Sequence, residues 1–335
     1  MIKIALLGFG NVGRAFAHFL DKTGEGAEFP ILGIADITGG LILRDAEDAR
    51  WLLAMQEQGR TVADCAARGA FFNVLSYINN LPKAGIAALV ECLPTNPLDG
   101  QPALDLIRRA IDKGLAVVTV DKGPIVHGFQ SLTSAARRKG TKLAYSGTTG
   151  VRPPEGIAGC HVLDIRGILN GTTNYILTEM QERGLTFRQA LVLAKDQGIA
   201  EPNPELDIEG WDTACKILIL ANEWMQARAS LADVVRIGIG PETEQMIMEA
   251  GSSGRVVRLI GRARLQDGRM RLSVGPKTVG PQSLLHSISG TSKGAIFATR
   301  EKGELFAGGV SGRDAIAQTI LEDLKSVTQT NSGTP

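Results

Sequence analysis

Three groups of residues in this 335-residue chain have the types and spacing to do chemistry. The first is Gly8-Phe9-Gly10-Asn11-Val12-Gly13, set between the apolar run Ile2–Leu7 and an amphipathic stretch. A GxGxxG pattern in that context is a pyrophosphate-binding turn: Gly8 permits the tight bend, Gly10 lets the backbone approach the phosphates, and Gly13 lets the helix pack on the strand. Asn11 and Val12 open the helix, whose N-terminal N–H groups and dipole attract anions. Asp36 closes the next apolar run, where a carboxylate accepts hydrogen bonds from an adenosine ribose; it favours NAD over NADP because it repels a 2′-phosphate. Arg44, close by in sequence, argues the other way.

The second group lies between Lys195 and Lys216. Pro202 and Pro204 hold its middle extended, so Glu201 and Asp207 are expected on an ordered loop outside any helix. Asp212 and Lys216, four apart, share one face of a helix. On a surface such a pair contributes about a few tenths of a kcal/mol. Here the helix continues as Ile217-Leu218-Ile219-Leu220, apolar nearly all round, which implies burial, where an ion pair is costly without a function. The third group is Lys122, just beyond the run Val117–Val120, at the strand edge where open α/β sheets bind ligands; an ordinary solvated lysine is the other reading of that position.

The elements that must position these groups follow from periodicity. To about residue 150, apolar runs (Ile2–Leu7, Ile31–Ala35, Ala87–Cys92, Ala116–Thr119, Lys142–Tyr145) alternate with amphipathic stretches such as Asn11–Leu20 and Pro102–Lys113, the pattern of an α/β fold with a doubly wound parallel Rossmann sheet. A Gly/Thr/Pro cluster over Ser146–Gly156 marks the crossing to a second, α+β domain. Its expected helices are Thr173–Arg183, Thr186–Gln197 and Trp211–Trp224, and its strands are Ser253–Gln266 and Met270–Lys277, antiparallel with one covered face. The Glu244–Gly254 segment reads as a mobile loop. A last helix, Ser311–Lys325, is expected to return to the first domain, and Thr328–Pro335 reads as a polar tail. The expected division is residues 1–150 for NAD(P), 151–305 for substrate and dimerisation, and 306–327 for the returning helix.

A formal net charge of +1 creates no long-range field for nucleic acid or anionic membrane, and no apolar run reaches the roughly 18 residues that span a bilayer. The start reads as a strand and not as a signal peptide. Cys65, Cys92, Cys160 and Cys215 lack the spacing of a zinc site or disulfide framework, so no metal and a reducing cytoplasm are expected.

The chain resembles the homoserine dehydrogenase family from residue 1 to about 325. Gly167-Ile168-Leu169-Asn170-Gly171-Thr172-Thr173-Asn174-Tyr175-Ile176-Leu177 is similar to that family's signature, and Glu201, Asp207, Gly210, Asp212 and Lys216 fall at its spacing. Glu91 with Pro94-Thr95-Asn96, and Lys122-Gly123-Pro124, are similar to the archaeal-type branch. The resemblance implies reversible oxidation of L-homoserine to L-aspartate 4-semialdehyde in threonine and methionine biosynthesis, by hydride transfer to NAD or NADP, in a homodimer acting on a small-molecule substrate. It implies Lys122 and Lys216 as the proton-transfer and substrate-polarising pair, with Asp212 orienting Lys216 or the reacting oxygen. Glu201 and Asp207 would pair with the substrate ammonium, and Thr172 with the Gly171 N–H would hold its polar end. Leu93 and the turn Gly308-Gly309-Val310-Ser311-Gly312, through Gly309, would lie near the nicotinamide.

The chain departs from the family pattern at several positions. Ser146 stands where a glutamate helps hold a monovalent cation; Arg152 adds a charge at the domain junction; Leu93, Asp121 and Leu206 replace the usual Thr, Asn and acidic residue; Val310 and Ser311 stand where Gly and Ala are common. No ACT-type regulatory domain is expected. Two other readings stay open: a related dehydrogenase of another small hydroxy acid or amino acid, and a non-catalytic NAD(P)-binding regulator. Retention of both lysines and the carboxylates argues against the regulator.

Overall fold

The computed structural model describes residues 1–309 and 312–329, so the expected turn residues Val310 and Ser311 and the tail beyond 329 lie outside the described residues. The described chain separates into two compact units, residues 1–148 with 312–329, and residues 149–309.

In the first unit the order is β1 (Ile4–Leu7), α1 (Asn11–Thr23), β2 (Ile31–Asp36), β3 (Gly39–Leu43), α2 (Ala46–Glu57), β4 (Gly69–Phe72), α3 (Val74–Asn80), β5 (Ala88–Glu91), α4 (Ala103–Asp112), β6 (Ala116–Thr119), α5 (Lys122–Lys139) and β7 (Leu143–Ala144). The sheet order is β4-β3-β2-β1-β5-β6-β7. The expected runs form its parallel part, β2-β1-β5-β6-β7. Strands covered on both faces read as continuous apolar runs, and β1 and β5 are buried throughout. From β1 the chain winds to β2 on one side and later to β5 on the other, so the topological switch point lies between β1 and β5, at the strand ends carrying Gly8 and Cys92.

Strands β3 and β4 extend the sheet antiparallel and are absent from the sequence reading. Gly39-Gly40 disguises β3. At Gly40 a Cβ would stand 2.2 Å from Tyr77 Cγ, so the fully buried Tyr77 ring requires glycine there.

The second unit contains β8 (Val162–Ile168), α6 (Gly171–Arg183), α7 (Phe187–Asp196), α8 (Glu205–Ile208), α9 (Trp211–Trp224), β9 (Val234–Arg236), α10 (Thr243–Gly251), β10 (Val256–Gln266), β11 (Arg269–Val279), β12 (Gly294–Thr299) and β13 (Gly303–Gly308). Its sheet order is β13-β12-β8-β10-β11-β9. The expected antiparallel pair is β10 with β11, closed by Asp267-Gly268, both at positive φ as a two-residue hairpin turn demands. Helix α9 covers one sheet face so closely that a Cβ on Gly261 would lie 3.0 Å from Thr213 and 3.2 Å from Ile217. On the other face Ile168, Ile260 and Ile296 pack with Leu285 and Ile288.

Two expectations change. The Glu244–Gly254 segment forms α10 over most of its length: Glu, Gln, Met and Ala are strong helix formers, and Glu244 accepts the Phe187 N–H at 2.9 Å. The second unit's sheet runs past residue 305, where its end was expected, because β13 stays paired with β12 to Gly308. Beyond it α11 (Arg313–Thr328) joins the core of the first unit, where Ile320, Leu321 and Leu324 pack with Phe16, Val90 and Val118.

Leu324 is fully buried in that core. Leu324→Ala is therefore expected to lower unfolding stability by about 2–5 kcal/mol, whereas the half-exposed Leu206→Ala changes it by less than about 1 kcal/mol. Denaturant titration of both variants checks this, and equal effects would remove α11 from the core.

Candidate active site

The glycine turn carries its reasons in its contacts. Gly8 has φ +97°, and a Cβ there would meet Cys92 carbonyl carbon and oxygen at 2.7 Å, pinning the turn to the end of β5. A Cβ on Gly13 would lie 2.2 Å from Gly8 O. Gly10 differs: nothing lies within 4 Å of its Cβ position, and no side chain caps α1. Open space beside an uncapped helix N-terminus fits a pyrophosphate approaching backbone N–H groups.

Asp36 ends β2 as expected, but its carboxylate is already at work inside the protein. Oδ1 accepts from Thr38 N at 2.8 Å and Thr38 Oγ1 at 2.5 Å, and Oδ2 accepts from Val62 N at 2.9 Å. Arg44 is remote from it. The antiparallel register Asp36↔Gly39 puts Arg44 just past the far end of β3, about 16 Å away at roughly 3.3 Å per residue. There its guanidinium pairs with buried Asp48 at 3.0 Å.

At the ends of β5 and β6, Leu93 follows Cys92, and Lys122 is the first residue of α5. Asp121 caps that helix by accepting the Gly123 N–H at 2.8 Å. Beyond β7, the Ser146 N–H donates to Asp323 Oδ2 of α11 at 3.0 Å. A carboxylate from the far end of the chain thus stands against Ser146. Burial, outweighing the bonds from Ser146, pushes the Asp323 carboxyl up to about 6. Among the described residues no cluster of three or more His, Cys, Asp or Glu side chains is arranged to hold a metal.

The second unit brings Asp212 and, through Asn170, Asp207 to Lys216. Its Nζ, nearly buried, donates to Leu169 O at 2.8 Å and to Asp212 Oδ2 at 2.6 Å, and an ammonium has a third N–H to give. Asn170, which the sequence reading did not single out, is the hub. As N-cap of α6 its Oδ1 accepts from Thr173 N at 2.8 Å, while its Nδ2 donates to Asp207 Oδ1 at 2.6 Å and Asp212 Oδ2 at 2.9 Å. The available signal was the capping pattern of an Asn placed before Gly171-Thr172-Thr173.

Asp207 corrects the loop expectation: it sits in α8, which starts directly after Pro204, a position where the N–H that proline lacks would make no intrahelical bond. Burial raises its carboxyl, as does the neighbouring Asp212 charge, against the bonds from Asn170 and Thr172 and the Lys216 charge. Thr172 Oγ1 donates to Ile199 O at 3.2 Å, tying down the loop that carries exposed Glu201. Gly171 is pressed against the Thr291 carbonyl, 2.8 Å from where its Cβ would stand. Gly309 bridges to Val151 and donates its N–H to Lys293 O at 2.8 Å; a side chain there would collide with Lys293.

A turn of the phosphate-binding type at the switch point of one unit and, in the other, a buried lysine paired with Asp212 are each features of a dinucleotide-dependent oxidoreductase. The sequence model of the homoserine dehydrogenase family matches residues 153–324. A homoserine dehydrogenase of Methanocaldococcus jannaschii is 35% identical over 96% of this chain and 97% of its own. An NAD(+)-dependent homoserine dehydrogenase of Pseudomonas canavaninivorans is 33% identical over 98% and 96%. The solved structure of an Archaeoglobus fulgidus protein described as a homoserine dehydrogenase superposes with a TM-score of 0.83 at 31% identity, covering 98% of this chain and 99% of that one. The chain belongs to the homoserine dehydrogenase family.

Gly13→Ala is expected to weaken NADH binding by about tenfold or more, since the added methyl must displace the Gly8 carbonyl. Unchanged affinity in a fluorescence titration would exclude this turn as the binding element. For Asp323, a folded-state pKa above the ordinary 3.8 means that its stabilising contribution is present below about pH 4 and lost as pH rises through about 6. Asp323→Asn should therefore melt above the wild type at pH 7–8 and lose that advantage near pH 4. A gain independent of pH would show that the carboxyl does not titrate in this range.

Proposed function

We propose that this chain is a homoserine dehydrogenase that interconverts L-homoserine and L-aspartate 4-semialdehyde reversibly with NAD(P). The Lys216–Asp212–Asn170–Asp207 network at the start of α6 carries the reading, in a chain of that family. The third N–H of Lys216 is directed to the reacting oxygen, and Asp212 and the Leu169 carbonyl hold the ammonium in place. Lysine at such a site moves the hydroxyl proton as the aldehyde forms, and Lys122 is its partner in proton transfer. Asp207 and Glu201 take the substrate ammonium, and the Gly171 N–H with Thr172 takes its carboxylate. The raised carboxyl of Asp207 makes this pairing weaken as pH falls.

Gly8, Gly10, Asn11, Val12 and Gly13 receive the pyrophosphate, Asp36 the ribose, and Leu93 and Gly309 the nicotinamide end. When bound, the nicotinamide supplies the hydride acceptor and donor at its C4. NAD is the preferred cofactor. Asp36 carries the charge that repels a 2′-phosphate, the nearby-in-sequence Arg44 is turned to Asp48 at the other end of its strand, and one relative is named NAD(+)-dependent.

The described residues include no helix long and apolar enough to cross a membrane, and all four cysteines are free thiols. We assign the enzyme to the cytoplasm and to a homodimer formed through the second unit's sheet, where Val235 and Ile237 present apolar surface.

The purified protein should oxidise NADH with aspartate semialdehyde and do so faster than NADPH. Lys216→Ala should lose about 10²–10⁴-fold in that rate while still binding NADH. Cofactor binding without turnover of this aldehyde by the wild type would sink the assignment, and a panel of other hydroxy acids would then identify a related dehydrogenase.

A further inference from the structure

Beneath the two strand ends that carry Leu93 and Lys122 lies a side chain with no assigned role. Glu91, the last residue of β5, is completely buried. One carboxyl oxygen, Oε1, accepts the Leu93 N–H at 2.7 Å; the other, Oε2, is 2.5 Å from Thr119 Oγ1 on β6. The Thr119 oxygen in turn accepts the Asp121 N–H at 3.0 Å, and Asp121 caps the helix that begins at Lys122. One carboxyl therefore joins the loop after β5 to the start of α5.

We propose that Glu91 is a positioning residue, held as a neutral carboxylic acid, that locks the Leu93 loop and the Lys122 helix start into one rigid edge. The inference rests on the dehydrogenase reading for what that edge does, though not for the state of the acid.

Geometry supports the neutral form. An acid proton on Oε2 can be donated to Thr119 Oγ1, because the Thr119 hydroxyl has another acceptor for its own proton in Asp121 O at 3.5 Å. The surroundings argue the same way. Opposite Glu91 in register stand Leu7 of β1 and Thr119 of β6, both uncharged. Asp121 is the charged group that acts on it, the Lys122 charge acts on Asp121, and the adjacent buried Cys92 thiol is raised by burial and by both carboxyls. Burial, followed by the Asp121 charge, raises the Glu91 carboxyl to about 8, against the bonds from Thr119 and Leu93. Burial raises Asp121 as well, but Gly123, Thr95 and Lys122 act the other way, so it holds the negative charge of the pair more readily. Two adjacent buried carboxylates would repel, whereas one acid and one carboxylate keep the bonds of Glu91 to Leu93 and Thr119 and of Asp121 Oδ1 to Gly123.

Glutamine is the neutral mimic: its amide N–H replaces the acid proton toward Thr119, and its carbonyl still accepts from Leu93. Glu91→Gln, Glu91→Ala and, as a gentler cut that spares the buried volume, Thr119→Val form the test. Infrared difference spectra of wild type minus Glu91→Gln, taken on protein alone at pH 7, should contain a protonated-carboxyl band that fades as pH rises through about 8. With NADH and aspartate semialdehyde, Glu91→Gln should keep most of kcat and lose the wild type's decline above that pH. Glu91→Ala and Thr119→Val should lower kcat roughly 10- to 100-fold, as misplaced groups do, with smaller changes in KM. Absence of the band, a Gln variant as impaired as the Ala variant, or full kcat in Thr119→Val each overturns the proposal. A wild type without turnover would overturn the dehydrogenase reading instead, leaving the band to decide the state of Glu91.

Discussion

A lysine ammonium inside an apolar helix must find a counter-charge and hydrogen-bond acceptors, and the second unit is organised around that demand. Helix α9 buries Thr213 through Asn222 almost without interruption, and Lys216 lies in the middle of that stretch. Stripping an isolated ammonium of water is prohibitive, so Asp212 one turn earlier and the Leu169 carbonyl across the gap stand where they must. Asp212 then needs its own support, which Asn170 gives while also holding Asp207. Four elements, β8 with its following loop, α6, α8 and α9, are thereby tied together by one set of polar bonds.

The first unit follows a different logic, in which close approach of backbones substitutes for side-chain chemistry. Gly8, Gly13 and the Cys92 carbonyl occupy a space that no Cβ could share. The turn is rigid because it is crowded on one side and open on the other, at Gly10. Helix α11 completes this unit from the end of the chain, bringing a core face of Ala317, Ile320, Leu321 and Leu324 and a buried carboxylate at Asp323.

How much of this could be read from sequence depends on how local the cause is. The five parallel strands were legible because double-sided burial writes a continuous apolar run, and α9 was legible to the residue because its apolar stretch begins after Gly210. Strands β3 and β4 were not, since Gly39, Gly40 and Gly69 serve a buried ring and close strand contacts that no local pattern reveals. Asp212 and Lys216 announced each other through helical spacing. Asn170 reaches partners 37 and 42 residues away, and Asp323 meets Ser146 across 177 residues; only the fold creates such pairs. Helix α10 was hidden by its Gly-Ser end, and α8 by prolines that start a short helix instead of preventing one.

The ties of Asp36 to Thr38 and Val62 reach beyond nucleotide choice. In many Rossmann sites the ribose-facing acid is a detachable selectivity element, exchanged for a small neutral residue to admit a phosphorylated cofactor. Here the Asp36 carboxylate is a structural rivet between the end of β2 and the chain around residue 62. Exchanging Asp36 is therefore a problem of rebuilding a loop: new acceptors must be found for the Thr38 and Val62 N–H groups before any change of charge at the end of β2 can be accommodated.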